Sequence, residues 1–536
     1  MRDEGQRGTF KVHSVRYNFV MNLLLTVLNT ILPLITFPYV SRVLGADGYG
    51  KVNFAISVSN YFYLAACLGI PTYGIRACAK VRDNPGLLSQ TVQEILIINS
   101  VSLVLSMAAY AGMVLMVPRL AQDKVLYAIE GINVIFNTIG SSWVFQALEQ
   151  YDYITIRSLI FKVMAVAAMF LLVHTASDYR IYAATIVFGG VGSNTLNVIR
   201  LHHLVSLKRL PRGSYNFRRH LRPIFILFAQ SAMSSIFANL DTVMLGVMKN
   251  DAEVGYYTTA VNVKLMLTSI VTSLGNVLLP RMSYYVRQER RDLFERLMTL
   301  ALSASLLMSL PLSVYFFAEA TDSVLFLAGS QFLPAVPGMR AIIFAVIPIG
   351  LTGIIGIQVL TALDRELQVL VSVAVGAVAD FVLNLALIPT QGATGSALAT
   401  LIAESLVLVT QLYLARDLLN KPGVRSGILG SLLTYLGLST TSGVCAFLAG
   451  TLCTGVITGI PLTPHGIVQC TVSILTGSGL STSQIFLRLV VTGVVFFGMY
   501  ALQLLVSRDS LFLKALGRGK RGLPEGRQED QDLGGL

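Results

Sequence analysis

Four side chains stand out because a hydrocarbon setting makes their charge costly: Asp241, Lys264, Asp380 and Glu404. All four fall inside apolar runs, and an ionisable group at membrane depth is a functional candidate by default. Lys264 lies about nine residues into its run, roughly 14 Å at the helical rise. A lysine there suits an anion such as a pyrophosphate or an acidic sugar. Asp241 falls in the same outer half of the same hairpin and is expected to hold Lys264 when the site is empty; the competing reading is a purely structural pair. Asp380 and Asn384 are one helical turn apart and so share a face. With Asp241 and Glu404 they are candidates for coupling to a proton or sodium gradient, or for packing between helices. Arg42, Lys51 and Arg76, around the first pair of apolar runs, complete the set of cationic binding candidates.

Other chemistry lacks its residues. No Gly-x-x-x-x-Gly-Lys-Ser/Thr loop is present, so no nucleotide site of that kind is expected. The six histidines lie mostly at loop edges and form no ligand spacing with the cysteines, so neither a metal nor another bound cofactor is expected. No Ser/His/Asp constellation can be placed on one side of a membrane. Hydrolytic and transferase chemistry are thereby disfavoured, and no catalytic residue is assigned. Cys67, Cys78, Cys445, Cys453 and Cys470 read as small buried hydrophobes, with a Cys453–Cys470 disulfide in an outer loop as the alternative.

The elements that must position these residues follow from composition. Hydrophobic residues make up 54% of the 536 and charged residues 13%, with mean hydropathy +0.68. Soluble domains carry about 25% charge. An all-α integral membrane protein of about fourteen spans is expected, near 17–39, 52–72, 91–117, 125–146, 157–175, 181–204, 222–247, 255–279, 297–317, 338–361, 367–388, 395–415, 427–450 and 486–506. Of the 40 Lys and Arg, 27 fall in the alternate segments that begin with the N-terminus, against six in the others. That bias places both termini in the cytoplasm. The net charge of +12 therefore serves orientation and anionic lipid, not nucleic acid.

Five regions follow: a cytoplasmic N-terminus at 1–16, a six-helix bundle at 17–210, a second at 211–420, an additional helix pair with an outer loop at 421–506, and a disordered cytoplasmic tail at 507–536. The basic loop 206–222 marks the bundle boundary. A second basic stretch, Pro280 to Arg296, suits an amphipathic helix on the inner leaflet. The outer loop, Thr451 to Ile485, is uncharged and rich in Gly, Ser and Thr.

One pattern repeats. FPYVSRVLGADGYGKVNFA, Phe37 to Ala55, is a hairpin turned through Gly45, Gly48 and Gly50. A degraded copy, ANLDTVMLGVMKNDAEVGYYTTAVNV, spans Ala238 to Val263. Repetition of a hairpin within a membrane chain points to a transporter built from two related bundles.

Three stretches carry a resemblance: NLLLTVLNTILPLITFPYVSRVLGADGYGKVNFA, SSWVFQALEQYDYITIRSLIFKV and NLALIPTQGATGSALATLIAESL. In this order, over about residues 15 to 415, they resemble the Wzx-type polysaccharide flippases of the multidrug/oligosaccharidyl-lipid/polysaccharide (MOP) exporter superfamily. The resemblance implies a two-lobed, MATE-like helical transporter in the cytoplasmic membrane. Its substrate would be an undecaprenyl-pyrophosphate-linked oligosaccharide, moved from the inner to the outer face. Membrane lipids, a polysaccharide polymerase and a chain-length regulator are the partners it implies. A cation-coupled exporter of drug-like amphiphiles from the same superfamily is the alternative. The deep acids favour that alternative, and a membrane-embedded polymerase is disfavoured by the uncharged outer loop.

Overall fold

The structure, a computed structural model, describes residues 15–208, 211, 214–460, 463, 469–471 and 480–515. Among these every regular element is helical. Eight helical segments are long and apolar enough to cross a membrane by length and composition. Each expected span overlaps observed helix, but the boundaries differ instructively. The chain divides into two compact units, Met1–Val243 and Met244–Leu536.

In the first unit the helical stretch Val15–Cys67 is broken at Gly45, whose φ of 68° and ψ of −178° are non-helical. Glycine pays no Cβ penalty there. The rings of Phe37 and Tyr49 lie 5.4 Å apart. Twelve residues of unbroken helix would separate them by about 18 Å, so the chain doubles back at this glycine as the hairpin motif requires. The helices Pro85–Met116, Lys124–Ile139 and Tyr151–Leu172 pack against this hairpin, and Tyr179–Leu204 packs on the last two. The expected span 125–146 is interrupted: the helix stops at Ile139, Ser141 takes a φ of 46°, and a short helix Ser142–Ala147 follows.

In the second unit the same device recurs at Gly392, with φ 55° and ψ −130°, inside Glu366–Leu414. Ser396 Oγ donates to Asn384 Oδ1 at 2.8 Å, again across twelve residues. The turn of the hairpin copy is capped by Asn250, whose side chain accepts from the Glu253 N–H at 3.0 Å. The two turns are clasped: Lys249 Nζ donates to the Pro389 carbonyl at 2.7 Å, and the Ala393 N–H donates to Glu253 Oε2 at 2.6 Å. The expected span 338–361 contains a change of helix type, with Gly353–Leu360 in the wider π form against helix Asp251–Arg287. Pi segments often sit at functional positions.

Three expectations are corrected. Pro280 to Arg296 is no separate surface helix. It is the end of Asp251–Arg287, a turn with Glu289 at φ 54°, and the start of Arg291–Ala318. Its apolar residues Met282 and Phe294 enter the core because they continue the buried stripes of those two helices. All five cysteines are free thiols. The outer loop begins later than expected, because helix Pro422–Thr458 continues through Thr451, and most of the remaining loop lies outside the described residues. That helix and Thr482–Val506 pack on each other and on Arg291–Ala318. In the expected tail, Ser510–Ala515 is a short helix; residues 516–536 lie outside the described ones, as do 1–14.

Candidate functional site

The first unit holds two adjoining cavities of about 190 and 350 Å³ that share Tyr63, Cys67 and Pro71. Their described walls combine amides, hydroxyls and aromatics with the apolar Leu64, Cys67, Ile70 and Pro71, and include no charged side chain. Buried polar groups are tolerated in such surroundings only when they find partners. Here they form a ladder. Asn137 Nδ2 donates to Asn133 Oδ1 at 2.6 Å, and Asn194 Nδ2 donates to Asn137 Oδ1 at 2.8 Å. Asn99 Nδ2 donates to the Thr138 carbonyl at 3.1 Å, and Asn60 Nδ2 to Asn239 Oδ1 at 3.4 Å. Asn133 and Asn137 share one helix face, as do Asn194 and Asn197 on the next.

Backbone shape makes this wall possible. A Cβ on Gly140 would fall 2.6 Å from the Asn194 side chain, and one on Gly74 would fall 2.4 Å from the Trp143 ring. Trp143 therefore rests against bare backbone at Gly74, and its Nε1 is a buried donor with no hydrogen-bond partner. Asn99 Oδ1 is a buried acceptor in the same state. Sequence reasoning concentrated on ionisable residues and passed over this set, although paired asparagines at helical spacing inside apolar runs were legible.

The expected site residues are distributed more widely. Arg42 is exposed beside the Gly45 turn, where Nη1 donates to the Pro38 carbonyl at 3.0 Å. Lys51 pairs with Asp47 at 2.7 Å and lies 5.4 Å from the Tyr179 ring centre. Arg76 is exposed on the helix Ile70–Ala79. The intervening helix from residue 46 to 67 is roughly 33 Å long at the helical rise, so Arg76 is not gathered with the other two. Asp241 is buried near the end of the first unit; Lys264, 9% exposed, is buried in the second. Asp380 is buried, and its backbone carbonyl accepts from Asn384 Nδ2 at 2.9 Å. Glu404 is half-buried.

Two charged clusters escaped the sequence reading. Glu94, fully buried, accepts from Arg219 Nη2 at 2.7 Å, from His220 Nε2 at 2.6 Å and from the Asn216 N–H at 2.9 Å. Gln93 binds the carbonyls of Ser206 and Lys208 at 2.6 and 3.0 Å. The basic segment after the sixth span is thus pinned to helix Pro85–Met116, which begins before the expected position 91. Arg488, in the first turns of helix Thr482–Val506, is 1% exposed and paired with Asp322. Beside them Glu319, just beyond its helix, has its carboxyl pushed up to about 7 by burial and by the neighbouring Asp322.

Long apolar helices, glycine-turned hairpins and amide-lined cavities in the first unit define a polytopic membrane protein. The chain is similar in fold to the lipid II flippase MurJ in its inward closed conformation. That match has a TM-score of 0.70 and 15% identity, covering 93% of this chain and 100% of that one. It is also similar to an inward-facing multidrug resistance MATE family transporter of the MOP superfamily, with a TM-score of 0.55 and 10% identity over 76% and 99% of the two chains. At such identities the likeness is one of fold. Residues 15–286 match the model of the polysaccharide biosynthesis protein family, and the chain belongs to that family. A relative described as a candidate O-antigen transporter, from Escherichia coli (strain K12), is 22% identical over 270 residues, half of this chain. The chain spans 65% of that relative's length.

Proposed function

We propose that this protein is a lipid-linked oligosaccharide flippase. It translocates undecaprenyl-pyrophosphate-linked polysaccharide repeat units from the inner to the outer face of the cytoplasmic membrane by alternating access. The observation that carries the reading is the family match over residues 15–286 on a fold shared with a lipid flippase. The physics agrees. Such a substrate has a polar, anionic head that needs a wet, basic site, and a long apolar tail that can stay in lipid. Lys264 is the cation assigned to the pyrophosphate or an acidic sugar, with Asp241 its resting partner and Arg42, Lys51 and Arg76 along the route. Rocking of two bundles needs no nucleotide; Asp380, Asn384 and Glu404 are the groups for coupling to a proton or sodium gradient. A polysaccharide polymerase and a chain-length regulator are the partners this role implies, and both termini face the cytoplasm.

Deleting the gene in a strain with no second flippase should trap lipid-linked repeat units on the inner leaflet. Normal surface polysaccharide in that strain would overturn the reading. A cation-coupled exporter of drug-like amphiphiles is favoured by one observation, the likeness to a multidrug transporter fold. Overexpression would then change toxin susceptibility, which the flippase reading does not expect.

A further inference from the structure

We infer that the amide-lined cavities of the first unit are a binding subsite for uncharged, hydroxyl-bearing sugar rings, separate in chemistry from any site for the pyrophosphate. This inference rests on the flippase reading and names the part of the substrate that the first unit takes.

The cavity walls decide the ligand's charge. Neither cavity has a described Lys, Arg, Asp or Glu in its lining. A phosphate or carboxylate placed there would face amide oxygens with no cation to offset its desolvation, which is costly in a low-dielectric interior. A cation would face the Trp143 N–H, and the carboxylate at the end of the amide ladder, Glu130, lies behind Asn133, whose Nδ2 donates to its Oε2 at 3.5 Å, and lines neither cavity. The walls instead offer donors and acceptors in alternation. Asn137 and Asn194 are linked into one chain, Asn99 is held through its amide nitrogen, and Asn60 and Asn239 stand on the larger cavity.

The orphaned atoms decide the ligand's functional groups. Trp143 Nε1 needs an acceptor and Asn99 Oδ1 needs a donor, and both residues line the smaller cavity at under 5% exposure. A hydroxyl is both donor and acceptor, so one class of group satisfies both. A sugar ring presents several hydroxyls on an apolar frame. The smaller cavity has room for one ring, and the larger one, which shares Tyr63, Cys67 and Pro71 with it, has room for the next. Leaving a buried polar atom unpaired costs about 1–3 kcal/mol. Both atoms are buried with almost no accessible surface, so a hydroxyl pairs with them as the Trp143 and Asn99 side chains turn toward the cavity that both residues line.

The chain carries its own reporter, because Trp143 is the only tryptophan among 536 residues. The test uses the purified full-length protein and two probes. One is the oligosaccharide released by mild acid from the source strain's lipid-linked repeat unit. The other is undecaprenyl pyrophosphate bearing no sugar. The oligosaccharide should shift Trp143 emission saturably and the bare lipid should not. In the Asn137→Leu/Asn194→Leu double variant the apparent Kd should weaken at least about tenfold. A monodisperse elution profile shows that this variant remains folded. Gly140→Ala, which displaces Asn194 without removing an amide, should weaken the same response.

Vesicle flipping of the full lipid-linked repeat unit is measured alongside. Flipping with no emission response to the oligosaccharide overturns the subsite and leaves the flippase reading standing. A response to the bare lipid alone also overturns it, because the cavity then takes the pyrophosphate. A saturable response without flipping supports sugar binding and counts against the flippase reading alone. Neither response nor flipping overturns both.

Discussion

Buried single residues divide here into those that hold the protein together and those free to act. Arg488 and Asp322 belong to the first group. Removing one partner of a buried pair typically costs about 3–5 kcal/mol, while replacing both by apolar groups can be neutral. Arg488→Met should therefore lower the apparent melting temperature in detergent, and Arg488→Met with Asp322→Leu should recover most of it. Equal loss in the single and double variants would show that the pair itself contributes the stability. Glu319 gives a pH signature. Its carboxyl is raised from 4.5 to about 7, so between those values the folded state keeps a proton that the unfolded chain has released. Stability from this group is full below pH 4.5 and falls as pH rises to 7. Glu319→Gln should stabilise at pH 8, by up to about 3 kcal/mol, and do little at pH 4.5; thermal melts at both values check it. Lys264 belongs to the second group. Lys264→Gln should reduce flipping about tenfold or more and Lys264→Arg should retain it, with both variants at normal abundance. Full transport by Lys264→Gln would remove this lysine from the site. Lys264 was legible because charge at depth is rare. Trp143 and the asparagines were not singled out, because they carry no charge and the cost of charge at membrane depth was the signal followed.

Helical hairpins were the legible elements, and glycine made them so. Gly45, Gly48 and Gly50 marked one turn before any coordinates, and Gly392 sits in the PTQGATG stretch of another. What sequence did not show is how the turns are fastened. Glu253 reaches the Ala393 N–H from a different hairpin, across 140 positions, and nothing local to either segment announces that pairing. Helix ends were also misplaced where a helix outruns its apolar stretch, as at Pro85–Met116. Asn84 caps that start, accepting from the Gly86 and Leu87 N–H groups at 3.1 Å, and the first turns serve the linker and not lipid. The Gly392 turn supplies the test at this scale. Alanine there must adopt a φ of 55°, which costs a non-glycine residue about 1–2 kcal/mol, and its Cβ would lie 2.4 Å from Glu253 Oε2. Gly392→Ala should thus destabilise by both terms. Adding Glu253→Ala removes the clash, so the double variant should be more stable than the sum of the single effects predicts. Strict additivity in melting experiments would mean that the carboxylate does not press on the turn.

At the scale of the whole molecule the chain forms two compact units, Met1–Val243 and Met244–Leu536, and the basic segment expected to divide the bundles lies inside the first. Residues between the sixth and seventh expected spans are held by three successive polar side chains of helix Pro85–Met116. Gln90 takes the Ser214 carbonyl at 2.6 Å, Gln93 takes those of Ser206 and Lys208, and Glu94 gathers Asn216, Arg219 and His220. Tyr73 adds a contact to His220 Nδ1 at 2.7 Å. A boundary read from sequence as a basic orientation loop is therefore a fastened strap. Beside the orienting role expected of the strap's positive charge, Arg219 neutralises the carboxylate of Glu94, which is fully buried. Loss of that carboxylate should free the strap without removing the positive charge that orients the protein. Lys208, Arg218 and Arg219 are exposed and are sites for trypsin once the backbone can open locally. Cleavage in the fast-opening regime follows the population of the open form, so each 1.4 kcal/mol of lost restraint raises the rate about tenfold. In inside-out membrane vesicles Glu94→Ala should be cut in this segment at least about tenfold faster than the parent protein, while Glu94→Gln, which keeps an acceptor, should fall between. In right-side-out vesicles none of the three should be cut there. Cutting from the outer face would reverse the orientation read from positive charge, and equal rates in all three from the inner face would show that Glu94 does not hold the strap.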